Sequence, residues 1–207
     1  DRGHALDFLL EAAVKLGAVQ SYGKILRGAA DVIGREGVDV TVQDILTHAG
    51  VSRRTFYQSF KNTEQVLETL YALVLCIGRI LLRQRLMNCQ SKDELFHEIS
   101  SSYGRFYEVG GMFMGQVAGE SFRQRSSLNV IYREHVLLVS EWTRDILKEQ
   151  LNAAVSEAQI RMFYISLTAI VQDFRLSSLS SDEDRAEAKA ALKSFTDIYL
   201  SGLDQQH

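Results

Sequence analysis

Between residues 52 and 61 the chain sets Ser52, Arg53, Arg54, Thr55, Tyr57, Gln58 and Lys61 around two phenylalanines, Phe56 and Phe60. Arginine offers a planar fork of N–H donors that fits a guanine edge or a phosphate, both bidentate targets. Two basic residues in the first turn of a helix oppose its dipole, at roughly a few tenths of a kcal/mol each. A sequence that accepts this twice gains something outside the helix. The chemistry on offer is therefore non-covalent recognition of an anionic, edge-bearing partner. No covalent alternative is spelled out. HExxH and CxxC spacings are absent around His97 and His135, and no nucleophile elbow occurs. Gly110, Gly111, Gly115 and Gly119 do not form a phosphate loop after a strand. No catalytic residue, metal site or cofactor is expected, and the chain is not read as an enzyme.

The elements that must hold these residues can be read from caps and periodicity. Thr41 with Asp44 is a capping box that opens a short helix with the apolar face Val42, Ile45, Leu46 and Ala49. Gly50 ends it, and Ser52 caps a second short helix ending near Phe60. Ala49 and Gly50 are expected to let the two helices approach closely, with Val51 filling the gap. Phe56 and Phe60 should face inward; Tyr57, Gln58 and Lys61 should not. This is a helix-turn-helix, and the free N–H groups behind Ser52 suit a phosphate. An earlier helix over 21–35 carries Ile25, Ala29, Val32 and Ile33 and stops at Gly37, with a break bracketed by Gly17 and Gly23. Another amphipathic stretch covers 5–16.

The run Thr41, Ala49, Gly50, Val51, Ser52, Thr55, Phe56, Tyr57, Phe60, Lys61, with Glu64 after it, resembles the tetracycline-repressor (TetR) family of bacterial regulators. The resemblance is close over about residues 24–67. It departs at Arg54, where family members often have Gly, and at Gln58 and Ser59, where they often have an aromatic and a His. These departures bear on which operator is read, not on the fold. The resemblance implies an all-α protein: an N-terminal helix-turn-helix domain over 21–67, preceded by an extension over 1–20, and a helical ligand-binding and dimerisation domain over 68–207. It implies a homodimer on double-stranded operator DNA, contacted by Thr41, Ser52, Arg53, Arg54, Thr55, Tyr57, Gln58 and Lys61. It also implies release by a small molecule. A helical small-molecule binder without a transcriptional role is the alternative reading, and an all-helical enzyme a third.

Beyond residue 62 the start signals recur at Asn62/Gln65, Ser91/Glu94, Ser156/Gln159 and Ser180/Glu183. They place helices near 63–87, 92–109, 112–124, 127–154, 157–177 and 181–203. The glycine-rich 112–124 is the weakest of them. Tyr103, Phe106, Tyr107, Phe113, Phe122, Tyr132, Trp142 and Phe163 crowd the middle helices and are candidates to line a cavity for a largely apolar effector. Arg105 or Arg175 could meet an anionic group on it. Residues 160–176 are apolar on nearly all faces, so that helix is covered on more than one side. With Phe174, Leu192, Phe195, Ile198 and Tyr199 it is read as an isologous four-helix dimer interface.

Composition is consistent with this picture. Hydrophobic residues are 46%, charged residues 24% and prolines 0 of 207, which favours helices with short connections. Residues 1–90 carry a net +2 and residues 91–207 a net −5, a small asymmetry that suits a nucleic-acid-facing N-terminal part. Two cysteines make no disulfide framework and point to a reducing compartment. No apolar run is read as long enough to span a membrane, and no signal peptide is visible, so a cytoplasmic setting is expected. The chain opens at Asp1 rather than Met, so a few leading residues are expected to be missing.

Overall fold

The structure is a computed structural model that describes residues 20–123, 126–176 and 182–205. Among these, eight helices follow one another: α1 Gln20–Glu36, α2 Val42–Ala49, α3 Arg53–Ser59, α4 Thr63–Leu86, α5 Lys92–Ser121, α6 Ser127–Glu149, α7 Glu157–Leu176 and α8 Asp182–Asp204. No strand occurs among the described residues, so the fold is all-α. The stretch 5–16 and the start signal at Ser180 lie outside them.

The chain divides into two compact units, residues 1–77 with 109–131 and residues 78–108 with 132–207. In the first, α1 buries Ile25, Leu26, Ala29, Val32 and Ile33, the spacing expected of one helical face. These pack with α2 and α3, and Ile45 and Leu46 of α2, Phe56 of α3, and Val66 and Leu70 of α4 are likewise almost fully enclosed. In the second, Phe96, Phe163, Phe195 and Tyr199 form an aromatic cluster with ring centroids 4.7–6.2 Å apart. Ser100 donates to the Leu192 carbonyl at 3.2 Å, and a Cβ on Gly104 would meet Leu192 at 3.3 Å, so α8 lies close on α5 there.

Four expectations need correction. Gly23 makes no break: it is buried inside α1. The helices drawn at 92–109 and 112–124 are one helix, α5. Its glycines cost helix propensity, but Phe113, Met114 and Val117 are buried and their packing outweighs it. Further on, α6 stops at Glu149 rather than 154. Asn152 adopts φ 48° and the Ala153 N–H closes on the Leu147 carbonyl at 2.9 Å, a turn that satisfies the helix end. Finally, α4 does have the length and composition to cross a membrane, with mean hydropathy 1.7 over its most apolar window. A third of that window is buried in the protein, including Val66, Leu70, Tyr71 and Val74.

Candidate nucleic-acid interface and a buried polar cluster

The helix-turn-helix is held by local bonds that the sequence specifies. Thr41 Oγ1 accepts from the Asp44 N–H at 3.3 Å, and Asp44 Oδ2 accepts from the Thr41 N–H at 2.8 Å. The Thr41 hydroxyl donates to the same carboxylate at 2.6 Å, and these bonds hold the Asp44 carboxyl below its usual range. Gly50 caps α2 at φ 62°, ψ 37°, its N–H on the Leu46 carbonyl. A Cβ there would meet nothing within 4 Å, so Gly50 is needed for its left-handed backbone rather than for space. The close approach lies elsewhere. A Cβ on Gly28 of α1 would sit 2.6–2.8 Å from Ala49, so it is α1 and α2 that touch through small residues.

Ser52 then caps α3, its Oγ accepting from the Thr55 N–H at 3.1 Å and sharing a 2.8 Å bond with Thr55 Oγ1. Phe56 and Phe60 are buried, and Tyr22 of α1 stacks on Phe60 at 4.9 Å. These anchors fix the orientation of α3. Arg53, Arg54, Gln58 and Lys61 are exposed, Tyr57 is 52% exposed, and neither arginine has a carboxylate partner among the described residues. After α3, Gln65 Oε1 accepts from the Lys61 N–H at 2.7 Å and Asn62 Oδ1 from the Gln65 N–H at 2.9 Å, which ties Lys61 to the start of α4. Sequence reasoning missed Tyr22, whose role depends on a contact 38 positions away.

The second unit holds a different constellation. Tyr103 (α5), Tyr132 and His135 (α6), and Tyr164 and Thr168 (α7) are all buried. Tyr103 Oη lies 3.4 Å from His135 Nε2. Thr168 Oγ1 donates to the Tyr164 carbonyl at 2.9 Å. The Thr143 hydroxyl donates to the Val139 carbonyl, so the 2.8 Å contact with Tyr164 is a bond donated by the phenol. Burial pushes the phenols of Tyr103, Tyr132 and Tyr164 up, keeping them protonated. Burial, with the Arg79 charge nearby, pulls the His135 imidazole down to about 3, so it is neutral.

Residues 25–70 match the profile of the bacterial regulatory proteins of the tetR family. The match spans the helix-turn-helix and the start of α4, so this segment is similar to the tetR-family N-terminal domain. No curated protein sequence matches it. Among solved structures, the fatty acid degradation regulator FadR of Bacillus halodurans superposes with TM-score 0.72 at 19% identity, over 89% of this chain and 97% of that one. FadR of Bacillus subtilis, solved with stearoyl-CoA, gives 0.69 at 19% identity, over 87% and 98%. The multidrug binding protein EbrR, complexed with imidazole, gives 0.61 at 15% identity, over 85% and 94%. At these identities the likeness establishes the shared fold.

The helix-turn-helix candidates come together on one segment, but with two kinds of duty. The hydroxyls of Thr41, Ser52 and Thr55 are engaged in caps, whereas Arg53, Arg54, Tyr57, Gln58 and Lys61 are outward. The proposed cavity residues do not form one set. Tyr103 and Tyr132 belong to the polar cluster, and Phe163 is fully enclosed in the aromatic cluster. Phe106 packs on Gly78, where a Cβ would lie 2.7 Å from its ring, and edges Tyr107 at 5.9 Å. Trp142 carries Arg83 over its ring at 5.3 Å. Phe113 is buried in the first unit, and Phe122 is 38% exposed just beyond α5. Arg105 is not free for an anion, being paired with Glu98 and hydrogen-bonded to Ser101 and Ser102. Arg175 and Phe174 lie outside the described side chains. Of the interface candidates, Leu192 is a core residue, Phe195 and Tyr199 are half-buried in the aromatic cluster, and Ile198 is 72% exposed. His135, Thr143 and Thr168 were not read as site residues. Their only local signal is a polar residue on the buried face of an apolar helix.

Proposed function

We propose that the protein is a homodimeric, ligand-responsive transcriptional regulator of the cytoplasm, a non-catalytic repressor released from a palindromic operator by a small molecule. The observation that carries this reading is the outward face of α3. Arg53, Arg54, Tyr57, Gln58 and Lys61 are free to reach DNA, while Ser52, Phe56 and Phe60 hold the helix in place. Arg54 then reads a base edge, and Lys61 contacts phosphate.

Two further features support the finer parts. Met162 at 61% and Ile198 at 72% exposure, with Ile165, leave apolar surface on the last two helices, as an isologous pairing of α7 and α8 requires. Such a dimer presents two α3 helices to half-sites about 34–36 Å apart. FadR and EbrR were solved with small molecules bound, which supports an effector here. The effector must bind one arrangement of the two heads better than the other, since equal affinity shifts nothing.

Mobility shift with fragmented genomic DNA tests the reading. A retained fragment should lose about 1–3 kcal/mol of affinity on Arg54→Ala, with relaxed preference at one base pair. Lys61→Ala should weaken all sequences alike and reduce the salt slope by about one. If no fragment is retained at physiological salt, or neither change matters in a folded protein, the regulator reading falls. The chain would then be a helical small-molecule binder. Ile198→Glu should weaken both the dimer and DNA binding; a monomeric wild type at micromolar concentration in sedimentation removes the dimer.

A further inference from the structure

His135 is the buried titratable group that the helix-turn-helix leaves unused. Its Nε2 faces Tyr103 at 3.4 Å, long for a hydrogen bond, while its Nδ1 is enclosed and meets no hydrogen-bonding group of the described protein. Buried polar atoms are ordinarily satisfied, and an orphan at a cluster of other donors points to a ligand group. Polar groups come from four helices, although the Thr168 hydroxyl proton is already spent on the Tyr164 carbonyl. Tyr103 comes from α5, Tyr132 and His135 from α6 and Thr168 from α7, and Arg79 of α4 brings its charge to bear on the imidazole. Arg79 is half-buried, and among the described residues it has no acidic partner, unlike Arg85, Arg105 and Arg144 of the same unit. The site therefore combines one uncompensated cation with neutral donors and no carboxylate of its own.

We propose that this cluster in the second unit receives the carboxylate end of an apolar monoanionic effector, with Arg79 as counter-charge and His135 Nδ1–H as hydrogen-bond donor, the Tyr103 phenol fixing that tautomer by donating to Nε2. The proposal rests on the ligand-responsive reading above and names the chemical class of that ligand. One cation matches one negative charge. A phosphate dianion would carry a second charge into the protein without a partner, at a large desolvation cost. A purely apolar ligand would leave both Arg79 and His135 Nδ1 as they are. The Tyr164 ring, 5.6 Å from that of Tyr103, supplies apolar wall beside the polar groups.

Octanoate and 4-phenylbutanoate, titrated calorimetrically into the full chain against octan-1-ol and 4-phenylbutan-1-ol, test the proposal. At least one acid should bind ten-fold or more tightly than its alcohol. Arg79→Ala should bring the two within about two-fold of each other while leaving the alcohol's affinity unchanged, and Arg79→Lys should restore part of the preference. Thermal unfolding of both variants confirms that they are folded. Equal binding of acid and alcohol, a preference that survives both Arg79→Ala and His135→Gln, or no binding of either acid overturns the assignment. Its failure is distinct from failure of the regulator reading. If a neutral compound releases the retained DNA while no acid binds, the protein is ligand-responsive and the carboxylate class is wrong. If no DNA is retained at all, the regulator reading fails whatever the acids do.

Discussion

The first unit turns polar side chains outward from a scaffold fixed by bonds between near neighbours; the second turns them inward and fixes them by contacts between distant helices. In the helix-turn-helix, Thr41 meets Asp44 and Ser52 meets Thr55, three residues apart in each case. In the second unit Tyr103 meets His135 across 32 positions and Thr143 meets Tyr164 across 21. A surface that must match a partner needs a rigid frame and free side chains. A buried cluster needs a complete set of partners, and any group left over is informative.

That contrast also explains what could be read from the chain. The caps at Thr41, Ser52, Ser91 and Ser156 are short-range patterns, and each opens a helix where the pattern stands. Gly37 ends α1 with φ 96°, as its position implied. The glycines of α5 misled because propensity is local, while the burial of Met114 and Val117 that overrides it is not. Phe163 and Leu192 are buried within the chain, and apolar type and helical spacing do not say which neighbour covers a face. The polar cluster was illegible since its members are ordinary residues on separate helices, and only packing brings them together.

The comparison is best broken at its packed centres. Phe163→Ala removes a ring with no exposed surface from the middle of the aromatic cluster. It should cost about 3–5 kcal/mol in urea unfolding. A loss below about 1 kcal/mol would mean that the cluster is not the core of the second unit. Gly28→Ala attacks the first unit at its tightest point, where the new Cβ would lie 2.6 Å from the Ala49 backbone nitrogen. Backbone cannot swing aside, so the change should cost about 3 kcal/mol despite a gain in helix propensity of about 1 kcal/mol. If the variant is as stable as the wild type, α1 and α2 do not touch there.

A pH series sharpens the contrast, since among the described residues only the second unit buries an imidazole neutral. Folding lowers the His135 value from 6.5 to about 3, with Arg79 facing it from α4 and protonated Tyr103 from α5. The unfolded chain therefore binds a proton that the folded one refuses between pH 6.5 and 3. This contribution to stability is complete above pH 6.5 and is lost as pH falls towards 3. The loss amounts to about 2 kcal/mol at pH 5. Denaturant midpoints at pH 5 and pH 8 should differ by correspondingly less in His135→Gln. An unchanged difference would show that the imidazole accepts its proton in the folded state.

The smallest effect separates frame from contact within the first unit itself. Ser52 is both a cap and a candidate for DNA contact, and its Oγ already accepts the Thr55 N–H. Ser52→Ala removes the cap and should cost about 1 kcal/mol of stability. Ser52→Asp keeps an acceptor in the same place and adds a negative charge that favours the start of α3, so the fold should hold. The same charge would face phosphates if α3 docks by this end, and retention of DNA should fall although stability does not. Thermal melts and mobility shifts on the two variants decide the matter. If Ser52→Asp binds DNA as well as the wild type, Ser52 serves the helix alone, and contact begins at the arginines that follow it.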